Sequence, residues 1–238
     1  MEHLNLYIAE LTGTAIFIVL GLGVCANISL SKSGMCGAGG IVAALGWGVS
    51  MVTVAVCFGP VSGAHCNPAV TIGFWAAGGL SGKLVPGYIL SQCVGAAIGA
   101  LIVWQLYKDH LDAEGNPDVT LGVFATGPSI CNSLRNCMSE AAATFCLMFV
   151  LLSLGHQEPV NGVAMFFVFC GVAGGVMSFG GLTGYAINPA RDLMPRLVYS
   201  LIPIKNKGGA NWRYAWIPVV GPLTGAFLAA VLYKVIFL

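Results

Sequence analysis

Charge is what this sequence has least of. Only 8% of its 238 residues are Asp, Glu, Lys or Arg, whereas 57% are apolar. Soluble domains carry about 25% charged residues, so this chain has too little charge to cover a surface exposed to water. The composition therefore predicts a protein that crosses the lipid bilayer several times. A net charge of +1 gives no electrostatic reason to expect nucleic acid as a partner.

Signals for metal binding and secretion are also missing. The nine cysteines include no CxxC pair and form no Cys/His cluster with metal-ligand spacing. We therefore expect no metal and no cofactor, and we expect the thiols to act as small packing residues. The N-terminus, Met1-Glu2-His3-Leu4, has no basic region or cleavage site ahead of an apolar core. The first apolar segment is expected to remain in the protein as a membrane helix.

Six apolar segments are long enough to cross the ~30 Å hydrocarbon core, which takes roughly 20 helical residues. They cover approximately residues 6–29, 40–59, 85–107, 133–154, 160–179 and 214–237. Two shorter apolar stretches, at about 67–78 and 188–200, would each make a helix of only ~15–20 Å, about half a bilayer. Polar, glycine-containing backbone precedes both, and it cannot face lipid. Both stretches are therefore predicted to be re-entrant half-helices beside a water-filled cavity.

Each half-helix begins with the same triplet, Asn-Pro-Ala. The two copies are Asn67-Pro68-Ala69 and Asn188-Pro189-Ala190. Asn is a favoured helix N-cap, and Pro suits the first helical position because its missing N–H is no loss there. Both triplets therefore predict helix starts, where unpaired N–H groups gather at the positive end of the helix dipole.

The order span, span, half-helix, span occurs twice, at about 1–125 and 126–238 of a single membrane domain. Ala9-Glu10 opens the first span of one copy, and Ser139-Glu140 lies early in the first span of the other. Three spans per copy is an odd number, so the second copy must cross the membrane in the opposite direction. The predicted fold class is an all-α membrane protein with six transmembrane helices and two re-entrant half-helices in an inverted repeat. The two triplets would then meet near the middle of the bilayer.

Two opposed helix N-termini at this depth would repel cations and proton-carrying water chains. The Asn67 and Asn188 side chains would donate hydrogen bonds to a passing solute oxygen. Backbone carbonyls before the triplets would accept hydrogen bonds, namely those of Gly63, Ala64, His65, Cys66, Tyr185 and Ala186. With apolar helix faces opposite, this lining suits a small neutral solute. The His65 side chain is either a pH switch or a histidine held by backbone.

Four of the charged residues inside the predicted membrane segments, or at their starts, have predicted roles. Arg191 lies one turn into the second half-helix, where the first copy has Val70. An intramembrane Arg usually faces a cavity, so Arg191 is predicted to line the pore, donate to solutes and repel cations. Glu10 and Glu140 are predicted to accept hydrogen bonds from the backbone before each triplet, with a proton relay as the alternative. Asp192, at a helix N-terminus, is predicted to be a cap or an ion-pair partner.

The segments around the triplets resemble the major intrinsic proteins, the aquaporins. Residues 62–71 read SGAHCNPAVT and residues 184–192 read GYAINPARD. Trp47 and the Asp after the Arg make the chain similar to the glycerol-facilitator branch. The resemblance covers essentially the whole chain and implies a pore in each protomer, a homotetramer in the plasma membrane, and cytoplasmic termini. The positive-inside rule favours the opposite orientation, because most Lys and Arg would lie outside. The expected orientation is nevertheless the one that the resemblance implies, with cytoplasmic termini.

The same resemblance implies an outer constriction, or selectivity filter, of Trp47, Val176, Tyr185 and Arg191. Water-selective members place His near position 176, and glycerol facilitators typically have Gly there with Phe near position 185. Val and Tyr replace these here, so the pore is expected to be wider and more apolar than a strict water channel, with added polarity from the Tyr hydroxyl. The expected solutes are glycerol and similar polyols, water, and undissociated lactic acid.

The resulting hypothesis is a passive channel and not an enzyme, since the sequence has no nucleophile–base pair or metal set. An ion-coupled secondary transporter is the alternative, because inverted repeats and broken helices occur there too. Its coupling site would have to use Glu10, Glu140 or His65. Uptake that is unaffected by collapsing the proton and sodium gradients would exclude it. A structural junction protein of little permeability is a further alternative.

Overall fold

The computed structural model describes residues 3–154 and 162–238. Within these ranges all regular structure is helical, with no strand. The helices are α1 (Leu4–Ser29), α2 (Gly40–Ser62), α3 (Pro68–Ala77), α4 (Val85–Leu106), α5 (Lys108–Ala113), α6 (Pro117–Phe124), α7 (Ser133–Leu154), α8 (Val163–Thr183), α9 (Pro189–Leu201) and α10 (Ile217–Phe237).

Six of these helices, α1, α2, α4, α7, α8 and α10, are long and apolar enough to span a membrane. They agree with the six predicted segments to within about one helical turn, although the predicted start of the fifth at residue 160 lies outside the described residues. The prediction of six transmembrane helices is confirmed. Helices α3 and α9, of 10 and 13 residues, are the two half-helices.

Helices α2 and α8 each end about one turn later than expected, and a glycine marks the end of each. Both continue to the residue before a glycine, Gly63 or Gly184, that has φ of 84° or 85°. Such left-handed C-terminal positions are easy only for glycine. Each stop lies four residues before a triplet Asn, so the chain leaves the helix and immediately turns toward the half-helix.

Two short helices, α5 and α6, were not expected from the sequence. They lie in the polar segment between α4 and α7, where the high charge indicated a loop. A signal for α6 is present in Asn116-Pro117, which repeats the cap-plus-proline pattern of the two triplets. The side chain of Asn116 accepts the N–H of Asp118 at 2.9 Å, as an N-cap does.

The two halves of the chain pack with exchanged partners. Helix α1 packs against α2 and α4, and α7 packs in the same way against α8 and α10. Half-helix α3 lies against α10, and half-helix α9 lies against α4. Each half-helix therefore packs on the last span of the other half, which is the arrangement of an inverted repeat.

Glycines allow the spans of each half to touch backbone to backbone. A Cβ at Gly95 of α4 would lie 2.2 Å from the carbonyl oxygen of Leu11, and one at Gly225 of α10 would lie 2.0 Å from that of Ala141. No side chain fits at such distances. Close approach through small residues is how helices associate in lipid, so these contacts fix the α1–α4 and α7–α10 pairs.

Candidate functional site

A cavity of about 910 Å³ lies between the two halves and is lined by residues of both. Its wall includes both triplet asparagines, most of the backbone before them and all four predicted constriction residues. These are Trp47, Gly63, Ala64, His65, Cys66, Asn67, Val176, Tyr185, Ala186, Asn188 and Arg191. The other triplet residues, Pro68, Ala69, Pro189 and Ala190, are buried in protein. The structure thus brings together residues that are far apart in the sequence.

Asn67 and Asn188 bind each other's half of the chain. Nδ2 of Asn67 donates to the carbonyl of Ile187 at 3.0 Å, and Nδ2 of Asn188 donates to the carbonyl of Cys66 at 2.8 Å. Their Oδ1 atoms accept the N–H groups of Ala69 and Ala190, which caps α3 and α9. A carboxamide has two donor hydrogens, so each side chain keeps a second N–H for the cavity. The reciprocal bonds also hold the two helix N-termini together.

The backbone before each triplet alternates between left-handed and other conformations. Ala64 and Cys66 have φ of 47°, and the matching Tyr185 and Ile187 have φ of 53° and 47°. Left-handed φ at a residue other than glycine costs on the order of 1–3 kcal/mol, so the surrounding structure must hold it in place. Because left-handed residues alternate with others, neither a helix nor a strand can form here.

Two carboxylates hold these strained segments from behind. Glu10 and Glu140 are both 0% exposed, and each accepts two backbone N–H groups and one hydroxyl. For Glu10 these donors are Ser62 (2.7 Å), His65 (2.9 Å) and Cys66 (2.8 Å), and for Glu140 they are Thr183 (2.7 Å), Ala186 (3.0 Å) and Ile187 (2.8 Å). Glu10 also accepts a hydrogen bond from Nε2 of Gln92 at 2.8 Å. These are the contacts that a support role requires.

Arg191 lies in the cavity wall with its charge against an aromatic face. Its Cζ is 4.3 Å from the centroid of the Trp47 ring, within the range of a cation–π contact. Its Nη1 donates to the carbonyl of Phe124 at 3.2 Å. The side chain is only 5% exposed, so its remaining N–H groups are available chiefly to whatever occupies the cavity.

Tyr185 leans on α8 in a way that changes its expected contribution. Its hydroxyl donates to the carbonyl of Gly171 at 3.4 Å, and its ring is stacked with that of Phe179. The polarity that was expected in the pore is therefore directed to the helix backbone. Val176, half-buried on the same helix, adds apolar surface to the cavity wall.

A buried ion pair lies beside the constriction, and only one of its two members, Asp192, was predicted from the sequence. Asp192, expected to be a cap or ion-pair partner, binds Nε of Arg196 at 2.9 Å, and both side chains are fully buried. Asp192 also accepts the N–H and hydroxyl of Thr126, and Arg196 donates to the carbonyl of the same residue. This pair fixes the segment that begins at Phe124, whose carbonyl binds Arg191. The i, i+4 spacing of Asp and Arg was a usable signal.

The His65 ring is held by side chains and not by backbone. Its Nδ1 lies 3.2 Å from Oγ1 of Thr71, and its ring stacks on Phe74 with centroids 4.9 Å apart. Within residues 3–154 and 162–238, no group of three or more His, Cys, Asp or Glu side chains is placed to hold a metal ion.

Comparison with known proteins gives consistent matches along the chain. The family model described as "Major intrinsic protein" matches residues 1–233. A Haemophilus influenzae protein described as aquaporin-like and uncharacterized is 62% identical over 193 residues, which are 81% of this chain and 91% of that protein. The glycerol uptake facilitator protein of Bacillus subtilis is 44% identical over 229 residues, which are 96% of this chain and 83% of the relative. The X-ray structure of the aquaglyceroporin from Plasmodium falciparum superimposes with a TM-score of 0.87 at 27% identity, covering 99% of this chain and 97% of that one.

Proposed function

Because this chain belongs to the major intrinsic protein family, we propose that it is a passive channel for glycerol and similar polyols, together with water. The observation that carries this proposal is the composition of the cavity wall around Arg191. Hydrogen-bond donors of Arg191 and the two triplet asparagines share one cavity with Trp47 and Val176. A polyol has a hydroxyl edge and a carbon edge, so the donors serve the first and the apolar side chains the second. Undissociated lactic acid has the same two edges and is a second candidate solute.

The same wall supports exclusion of ions. The N-termini of α3 and α9 are tied together by the two asparagines, so two positive dipole ends share one depth. Arg191 adds a full positive charge to the cavity wall. A cation would have to pass both without the hydration that it has in water.

The geometry gives little support to an ion-coupled transporter. A coupling acid must exchange protons or bind ions where solute passes. Glu10 and Glu140 are instead fully buried, and their oxygens are bound to the backbone of the segments that they support. Breaking those bonds in each transport cycle would release strained backbone at the centre of the protein.

Proteoliposomes test the function directly. Vesicles that contain the protein are expected to swell faster than empty vesicles in an isosmotic glycerol gradient, measured by stopped-flow light scattering. Ionophores that collapse proton and sodium gradients should leave the rate unchanged. Swelling no faster than that of empty vesicles would contradict the glycerol proposal, and a rate that depends on the gradients would favour the transporter. Lactic acid flux at two pH values, compared with bare lipid, tests the second solute.

We also propose that the protein is a homotetramer in the plasma membrane with both termini in the cytoplasm. Support for assembly comes from the unequal burial of the spans. In the most apolar stretch of α1, half of the residues are buried within the chain. In the corresponding stretch of α8, only 17% are buried. Helix α8 therefore has apolar surface available to lipid or to a second copy.

A further inference from the structure

Both aromatic rings of the constriction lie in recesses that exist only because the facing residue is glycine. A Cβ at Gly21 of α1 would lie 2.1 Å from Cζ3 of Trp47. A Cβ at Gly175 of α8 would lie 1.8 Å from the hydroxyl oxygen of Tyr185 and 2.2 Å from its Cζ. Non-bonded carbon atoms approach only to about 3.5–4.0 Å, so neither ring could keep its place beside an alanine.

We propose that Gly21 and Gly175 are positioning residues that set the width of the constriction and thereby decide whether polyols pass as well as water. They do so by seating Trp47 and Tyr185 back from the lumen. The inference rests on the proposed channel function and adds two residues that do not themselves donate to the solute.

The surroundings of Trp47 leave its ring one direction in which to move. The ring of Phe17 meets it edge-on with centroids 5.1 Å apart, and the guanidinium of Arg191 lies over its face. Gly21 closes the third side, and the cavity is the open side. A Cβ at Gly21 would therefore push the indole into the lumen and disturb its contact with Arg191.

The recess at Gly175 accommodates the ring of Tyr185, as the recess at Gly21 accommodates that of Trp47. The hydroxyl end of Tyr185 lies over Gly175 and reaches the carbonyl of Gly171. The phenol therefore leaves the lumen beside Val176 open. A Cβ at Gly175 would break the hydroxyl contact and turn the ring toward the cavity, where glycerol needs more cross-section than water.

The test compares glycerol and water permeability of Gly21→Ala and Gly175→Ala proteoliposomes. Overpacking of this kind raises local energies enough for an expected fall of about tenfold in glycerol permeability. Water permeability is expected to fall much less, so the glycerol-to-water ratio drops. Gly23→Ala in α1 and Gly174→Ala in α8 are matched controls, because a Cβ at Gly23 comes no closer than 3.8 Å to Tyr107 and one at Gly174 meets nothing within 4 Å. Both controls should keep the wild-type ratio.

A second substitution separates seating from a folding defect. In the Gly21→Ala background, Trp47→Phe shrinks the displaced ring and should restore glycerol permeability toward the wild-type value. A folding defect would lower both permeabilities and would not respond to the smaller ring, which would overturn the inference, as would an unchanged ratio in Gly21→Ala and Gly175→Ala. If the wild-type protein passes water but no glycerol, the proposed function is wrong. A loss of water permeability in Gly21→Ala that Trp47→Phe restores would then still support the seating.

Discussion

The two halves of the chain carry different residues, Arg191 and Val70, at one matching position of the cavity wall. They follow the triplet asparagines at equal distance, and both line the cavity. One half thus places a cation where the other places an apolar side chain. A buried Arg in a membrane is costly, and here Trp47 and the carbonyl of Phe124 stabilise it. In the proposed channel, the cation barrier would therefore have a charge component in addition to the two helix dipoles.

Replacing Arg191 separates these components. Arg191→Leu removes the charge and leaves α3 and α9 in place, so we expect a cation or proton leak that the wild-type protein lacks. Proton influx into vesicles loaded with a pH-sensitive dye measures the leak. Arg135→Leu, an exposed arginine outside the cavity, is the control. A tight Arg191→Leu channel with normal solute flux would show that the dipoles suffice.

At the scale of elements, the half-helices are completed at both ends. Their N-termini carry Asn caps, and lysines bind carbonyls at their C-terminal ends. Nζ of Lys207 donates to three carbonyls at the end of α9, and Nζ of Lys234 donates to that of Ala76 in α3. Lys at a helix C-terminus complements the dipole. Lys207 and Lys108 are among the cations that oppose the expected orientation in the positive-inside count. Both nevertheless have structural partners, since Lys108 forms an ion pair with Asp112.

Glu114 connects two loop segments outside the spans, and its hydrogen bonds predict that the stability of the fold depends on pH. Hydrogen bonds from the N–H groups of Ser31, between α1 and α2, and of Asn116 lower its pKa below the usual 4.5. A group with a lowered pKa in the folded protein stabilises the fold above its unfolded pKa, and this is lost as pH falls through the folded pKa. Glu114→Gln should therefore lower the Tm at pH 7 by a few degrees, with a difference from wild type that shrinks below pH 4.5.

Thermal unfolding in detergent between pH 7 and pH 3 measures this difference. Asp118→Asn changes an exposed carboxylate close by and should follow the wild-type curve. Asp112, whose pKa is also lowered, chiefly by Lys108, contributes equally to both curves and cancels. Wild-type and Glu114→Gln curves that stay parallel at all pH values would refute the role of Glu114.

At the scale of the whole molecule, assembly and orientation can be tested with native cysteines. Cys36 and Cys131 are exposed in loops separated from the N-terminus by an odd number of spans. If the termini are cytoplasmic, a membrane-impermeant maleimide should label both in intact cells. Cys36→Ser with Cys131→Ser is the control and should lose the label. Native mass spectrometry should give a mass of four chains; a monomer mass in mild detergent, or unlabelled cells, would contradict the corresponding proposal.

Much of the fold was predictable because its signals are local. Hydropathy identifies the six spans, since lipid requires long apolar helices wherever the chain crosses. Asn67 and Asn188 start α3 and α9 through contacts to residues two or three positions later, which any sequence shows. Helix α5 is not predicted, because a high local charge indicates a loop. The i, i+4 spacing of Asp192 and Arg196 permits an ion pair, but only the fold shows that both side chains are buried.

The spans, the two capped half-helices and the cation after the second triplet all follow from residues that are near neighbours in the chain. The packing of the folded chain settles how the halves meet, because the bonds from Asn67 to Ile187 and from Asn188 to Cys66 join residues 120 and 122 positions apart. It also decided that the Tyr185 hydroxyl lies over Gly175 and not in the lumen. That outcome depends on the space left where another segment lacks a Cβ, and no local pattern of residue types records such a space.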